Sequence, residues 1–189
     1  MKEHFAECID ASAATVMSLK LHLDDLAAIT DTMIDALRNG NKVLTAGNGG
    51  SSAEALHMSE ELIGRFRGNR RALPAVALVA DCTALTCIGN DFGFDEIFSR
   101  QIQGLAKSGD VLVLFSTSGN AQNLSKALVA GKNAGMKTVC LLGRDGGLLA
   151  GLADYEIIIA GEATERIQEA HQVILHLLLD AVEQAFPEE

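Results

Sequence analysis

Residues 111–120 read VLVLFSTSGN. Five apolar residues run without a polar break, and three hydroxyl side chains, a glycine and an asparagine follow. An uninterrupted apolar pentapeptide ending in turn residues predicts a β-strand covered on both faces, with a polar loop at its carboxyl end. Comparable short runs occur on either side, at Lys42–Ala46, Ala75–Ala80, Thr138–Leu142 and Tyr155–Ile159 (YEIII). The stretches between them carry apolar residues at helical spacing. Strand alternating with helix predicts an α/β three-layer sandwich, a parallel five-stranded sheet joined by right-handed crossovers. Two surplus helical segments flank this unit. Met1–Leu37 reads as two helices or one bent helix, with the break expected before the cap candidates Thr30 and Asp31. A last helix is expected over Thr164–Phe186. With no linker-like stretch, residues 1–189 read as one domain: an N-terminal helical segment, 1–40, suited to burial against another subunit, and an α/β core, 41–186.

Composition narrows the function. The chain has 189 residues, 48% of them hydrophobic, and 15 basic against 25 acidic side chains, a formal charge of −10. That balance opposes a nucleic-acid footprint, which needs a basic face. No uncharged run approaches the roughly 18 residues of a membrane span. The opening MKEHFAECID carries acids where a signal peptide would not, so a cytoplasmic protein is expected. The four cysteines, Cys8, Cys82, Cys87 and Cys140, form no C-x-x-C pair. Reduced and mostly buried thiols are expected.

Two strand-to-helix turns carry ligand-binding character, and in parallel sheets ligands gather at the carboxyl ends of the strands. AGNGGSS, residues 46–52, follows the first strand, and its glycines let backbone amides approach a ligand at a helix start. Ser116, Thr117 and Ser118 follow the third strand. Hydroxyls and amides without an accompanying lysine or arginine suit a phosphate monoester. Neither loop matches the triphosphate P-loop, and Ser52 stands where a dinucleotide fingerprint needs its third glycine.

A second constellation has acid–base character. His57 and Glu61 stand four apart on the helix after the glycine loop, and so on one face. The last helix carries Gln168, His171 and His176. Among Ile174, Leu175, Leu177, Leu178 and Leu179, a desolvated His176 is expected to favour its neutral form. His57, Glu61, Gln168 and His176 are also a conceivable divalent-metal set. Eight residues, about 12 Å of helical rise, separate Gln168 from His176, so a shared ion would need extended side chains.

Four separated motifs, AGNGGSSAEALHMSEELIGRF (46–66), IGNDFGFDEIFSRQ (88–101), FSTSGN (115–120) and ERIQEAHQVILH (165–176), resemble those of the SIS-domain phosphoheptose isomerase family, in the same order. The resemblance runs from about Asn41 to Phe186. It implies a flavodoxin-like sheet and a cytoplasmic homotetramer with active sites at subunit interfaces and one zinc ion per subunit. The implied reaction interconverts sedoheptulose 7-phosphate and D-glycero-D-manno-heptose 7-phosphate, the first step toward the heptose of lipopolysaccharide core or other surface sugars. By this resemblance Glu61 and His176 are the catalytic pair, and His57, Glu61, Gln168 and His176 the metal ligands. Substrate contacts would come from Asn48, Gly49, Gly50, Ser51, Asn90, Asp91, Ser116, Thr117, Ser118 and Gln168. Read without the family, Asn90-Asp91-Phe92-Gly93 is a turn.

Two positions depart from the family pattern. Ala121 replaces a usual serine, which would cost one phosphate hydrogen bond unless Gln122 or Ser125 compensates. Glu165 stands where aspartate is frequent, after a short GEAT loop. Two rival readings remain: an isomerase of another phosphosugar, and a non-catalytic SIS-domain regulator or replication-initiator-associating protein. A pure binding module has no need of Glu61 together with His176, and that pair separates the readings.

Overall fold

The computed structural model describes residues 1–186. Its sheet has five parallel strands in the order β2-β1-β3-β4-β5. They are β1 (Val43–Gly47), β2 (Ala75–Ala77), β3 (Val111–Ser116), β4 (Lys137–Gly143) and β5 (Tyr155–Ile159). Every residue of β1 and β3 is buried, as their apolar runs require. The second strand is shorter than the expected Ala75–Ala80. It is an edge strand paired to β1 alone, and its chain turns at once, with the Ala80 amide bonding Ala77 O.

Period-two alternation divides the strand side chains between two cores. Val43, Val111, Val113, Phe115, Val139 and Leu141 face one layer; Leu44, Ala46, Leu112, Leu114, Cys140 and Leu142 face the other. The first layer holds α2 (Leu23–Arg38), α3 (Gly50–Ile63) and α7 (Thr164–Gln184), with α1 (Lys2–Ser18) against α7. The second holds α4 (Cys82–Asp91), α5 (Ser99–Leu105) and α6 (Gln122–Asn133). At the amino end of β3 the buried Asp110 fixes register with β1: its carboxylate accepts the Lys42 amide at 3.0 Å and pairs with the Lys42 ammonium.

Three expectations need correction. The helical break falls at Leu19–His22, not before Thr30. Asp24 and Asp25 favour a helix start at Leu23, while the Thr30 hydroxyl bonds the Leu26 carbonyl inside α2 instead of capping. Asn90 and Asp91 are the last residues of α4, and the turn begins only at Phe92. The thiols are free, but only Cys140 is buried, its pKa pushed up to about 12 by desolvation; Cys82 and Cys87 lie exposed on α4. Among the described residues no helix is long and apolar enough to cross a membrane.

Candidate active site

The chain passes from β1 outward to β2 and then returns to β3 on the other side of β1. Loops leaving β1 and β3 therefore diverge around a crevice at the carboxyl edge, the place where ligands settle in such sheets. These are the two loops singled out by sequence. They are tied together by a reciprocal amide pair: Asn48 Nδ2 donates to Asn123 Oδ1 and Asn123 Nδ2 donates to Asn48 Oδ1, both at 2.9 Å.

In the β3 loop the Ser116 hydroxyl accepts the Gly119 amide at 3.0 Å, and the Ser118 hydroxyl accepts the Asn120 amide at 3.3 Å. Thr117 and Ser118 are half-buried. Ala121 occupies the N-cap of α6 and offers no side-chain cap, so the helix presents first-turn amides that lack a capping oxygen. In the β1 loop Ser51 is buried at the start of α3, and Gly49 and Gly50 are exposed. Gln168 lies over Gly50: any Cβ there would overlap its carboxamide.

From Gly50 a groove of about 460 Å³ runs between α3 and α7, lined by Gly50, Glu54 and His57 on one side and Gln168, Glu169 and Gln172 on the other. Its far end holds a side-chain network. His57 Nε2 lies 3.3 Å from Glu61 Oε1, as the i, i+4 spacing dictates. Gln172 Nε2 lies 2.7 Å from His57 Nδ1 and 3.1 Å from His176 Nε2. The network closes with His57 protonated on Nε2, donating to Glu61, and with both facing ring nitrogens accepting from the amide. The two rings meet edge to face at 5.2 Å, and Phe66 lies 5.7 Å from His176. Desolvation by burial, then the nearby His57, lowers the His176 pKa against the opposing pull of Glu61. A neutral His176 ring follows, as its apolar helix predicts.

This end suits a divalent cation by its donor chemistry. A ring nitrogen of His57 and one of His176 face the same small volume, and a carboxylate stands beside them. His57, Glu60 and Glu61 also bring three donor atoms within 4.8 Å of one another. Gln168 sits instead at the glycine-loop end, and Gln172 stands between the imidazoles. Gln172 escaped the sequence reading because a lone helical glutamine has no chemical signature; the available signal was its i, i+4 spacing to His176. Asn90 and Asp91 are exposed on the opposite helical layer, bonded to each other at 2.8 Å, and within one chain they do not join the groove.

One layer below, Glu54 and His171 are both buried, with Glu54 Oε2 3.8 Å from His171 Nδ1 and His171 Nε2 3.1 Å from the Leu142 carbonyl oxygen. This pair links α3, α7 and the end of β4.

Comparisons with known proteins bear on the family and the fold. The SIS domain family matches residues 7–143. A phosphoheptose isomerase of Geotalea daltonii is 51% identical over 158 residues, 84% of this chain and 82% of that protein. Among solved structures, phosphoheptose isomerase GmhA from Neisseria gonorrhoeae superposes with a TM-score of 0.87 at 39% identity, covering 97% of this chain and 96% of that one. A phosphoheptose isomerase from Francisella tularensis gives 0.89 at 33% identity, with the same coverage.

Proposed function

Because the chain belongs to the phosphoheptose isomerase family of SIS-domain proteins, we propose that it is an aldose–ketose isomerase that converts sedoheptulose 7-phosphate to D-glycero-D-manno-heptose 7-phosphate through an enediol. The observation that carries the reading is the groove that begins at Gly50 in one ligand loop and ends on His57, close to Glu61 and His176. Phosphate and reacting carbons of one sugar lie several bonds apart, and His57 stands seven residues beyond Gly50, about 10 Å of helical rise.

In this reading the hydroxyls of Ser116, Thr117 and Ser118 and the start of α6 hold the phosphate. Asn48, Gly49, Gly50, Ser51 and Gln168 line the approach to the reacting carbons. The Glu61 carboxylate takes the proton from the carbon beside the carbonyl and returns it to the neighbouring carbon. Neutral His176 accepts and returns the oxygen-bound proton. His57 donates to Glu61 and Gln172 orients both rings, so the acid–base pair is held before substrate arrives. Zinc is the cation we assign, with His57, Glu61 and His176 at this end as its ligands; Gln168, the fourth ligand of the family pattern, lies against Gly50 and would have to turn toward them to join. When bound it would polarise the carbonyl and the developing enediolate.

We further read residues 1–189 as one SIS domain, acting in the cytoplasm toward surface heptose synthesis. The assembly is proposed to be a homotetramer whose neighbouring subunits bring Asn90 and Asp91 to the site. Exposed Phe5, Ile9 and Met17 on α1 support burial of that helix against another copy. The retained acid–base pair argues against a purely regulatory SIS protein. The test is incubation with sedoheptulose 7-phosphate in deuterated water followed by NMR. Aldose carrying solvent deuterium at the exchanged carbon is expected; unchanged ketose refutes the reading.

A further inference from the structure

Glu183 stands seven residues beyond His176 on α7, and no role assigned above involves it. Its carboxylate accepts the backbone N–H groups of Phe66 at 2.9 Å, Arg67 at 2.8 Å and Gly68 at 2.8 Å, and it pairs with Arg70 Nε at 3.4 Å. Three successive amides converging on one carboxylate form an anion nest filled by the chain's own side chain. The loop so held follows α3 directly. Its Phe66 ring lies 5.7 Å from the His176 ring. The buried Arg70 guanidinium turns back to donate to the carbonyl oxygens of Leu62 at 3.0 Å and Glu61 at 2.7 Å. One carboxylate thus anchors a loop that touches His176 on one side and the last turn of α3, which carries Glu61, on the other.

We propose that Glu183 is a positioning residue for isomerisation: it fixes the loop of residues 64–71 so that Phe66 holds the His176 ring and Arg70 holds the helical turn of Glu61. The inference rests on the isomerase reading above. Glu183 lies outside the groove and touches no part of a sugar placed there. Its loss therefore acts on the geometry of proton transfer and leaves phosphate capture at the β1 and β3 loops intact. That predicts a fall in kcat with little change in KM, a split that general loosening of the fold would not produce.

The experiment compares wild type, Glu183→Gln, Phe66→Leu and the double variant by steady-state kinetics on sedoheptulose 7-phosphate, with tryptic cleavage at Arg65 and Arg67 as a second readout. Glutamine keeps the shape but offers one accepting oxygen to three amides. We expect Glu183→Gln to lose roughly 10- to 100-fold in kcat, with KM within about twofold, and to be cleaved faster in the loop. Phe66→Leu should fall similarly. Because the two act through one loop, the double variant should be no worse than the worse single variant. A Glu183→Gln enzyme with wild-type kcat, or losses that multiply in the double variant, overturns the proposal. Should Glu183→Gln fail to fold, Phe66→Leu decides alone, and wild-type kcat there overturns it. An inactive wild type overturns the isomerase reading itself, and that result appears in the wild-type arm.

Discussion

The two ends of the groove between α3 and α7 are built from different materials. At the glycine-loop end, residues 47–51 and 116–120 contain no titratable side chain, and what they offer a ligand is backbone amides, hydroxyls and space. At the far end His57, Glu61, Gln172 and His176 form a connected network of side chains whose ring nitrogens are fixed by a single amide. The first end is shaped by what glycine and turn geometry permit. The second is shaped by helical spacing, i, i+4 on both α3 and α7. An enzyme that holds a dianion at one point and moves protons at another needs this division, because a charged base beside the phosphate would repel it. Binding and chemistry should therefore fail separately when each end is damaged.

The largest effect is expected at the side-chain end. Glu61→Gln removes the proposed base while keeping its volume and its contact with His57, so the fold should stand. Turnover of sedoheptulose 7-phosphate should drop by at least about 10³-fold. Deuterium uptake should fall in step while the affinity for substrate, read by calorimetry, changes little. Retained exchange in this variant would remove Glu61 from the proton path and blur the distinction between the two ends.

At the loop end the damage should appear in binding and stability. Gly119 sits at φ +64, and a Cβ there would overlap the Gly146 carbonyl oxygen in the neighbouring β4 loop. Gly49 sits at φ +58 with nothing within 4 Å of the same position. Both alanine variants pay for a strained backbone, about 1–3 kcal/mol, but only Gly119→Ala must also move a packed backbone. Gly119→Ala should lose about 3 kcal/mol or more, a melting shift of roughly 6–12 °C, with weakened phosphate binding. Gly49→Ala should lose clearly less. Equal losses would mean that the packing between the β3 and β4 loops does not set the phosphate end.

This division also explains what was legible beforehand. β1, β3 and β4 announced themselves because a strand buried on both faces cannot hide its apolar run, and glycine-rich and hydroxyl-rich loops follow two of them directly. His57 and Glu61 were visible as an i, i+4 pair. The edge strand read too long, since nothing local in Ala75–Ala80 says where pairing stops. Thr30 misled as a cap, because its hydroxyl is equally well satisfied by the carbonyl four residues back. Gln172 offered only its i, i+4 spacing to His176, and Glu54 and Glu183 offered nothing. The partners of Gln172, Glu54 and Glu183 across the contact of α7 with α3 and its following loop lie 115, 117 and 117 positions away in sequence, and only packing brings them together. Asn90 and Asp91, which the family motif alone promoted, remain on the opposite layer of a single chain.

The smallest expected effect, and the sharpest division between the ends, is in the pH dependence of stability. His176 has its pKa lowered from 6.5, chiefly by burial and next by His57, with Arg67 adding to that and Glu61 opposing. The unfolded chain then binds the proton first as pH falls, so stability declines below about 6.5 and levels off once the folded ring is also protonated. Burial raises the pKa of Glu183, but the amides of Gly68, Phe66 and Arg67, with Arg70, outweigh it and leave the value below 4.5. Its contribution is present in full above 4.5 and is lost as pH falls through the folded value. Chemical denaturation between pH 7.5 and pH 3.5 should therefore show two declines. His176→Asn should flatten the upper one, and Glu183→Gln should reduce the lower one, to which Asp110, Asp154 and Glu96, also held below their ordinary values, contribute the rest. Asn48→Ala, which breaks the amide pair at the loop end, should shift the whole curve down without changing its shape, since nothing there titrates. A change of shape in Asn48→Ala would show that the two ends are energetically coupled, and the separation argued from their construction would fail.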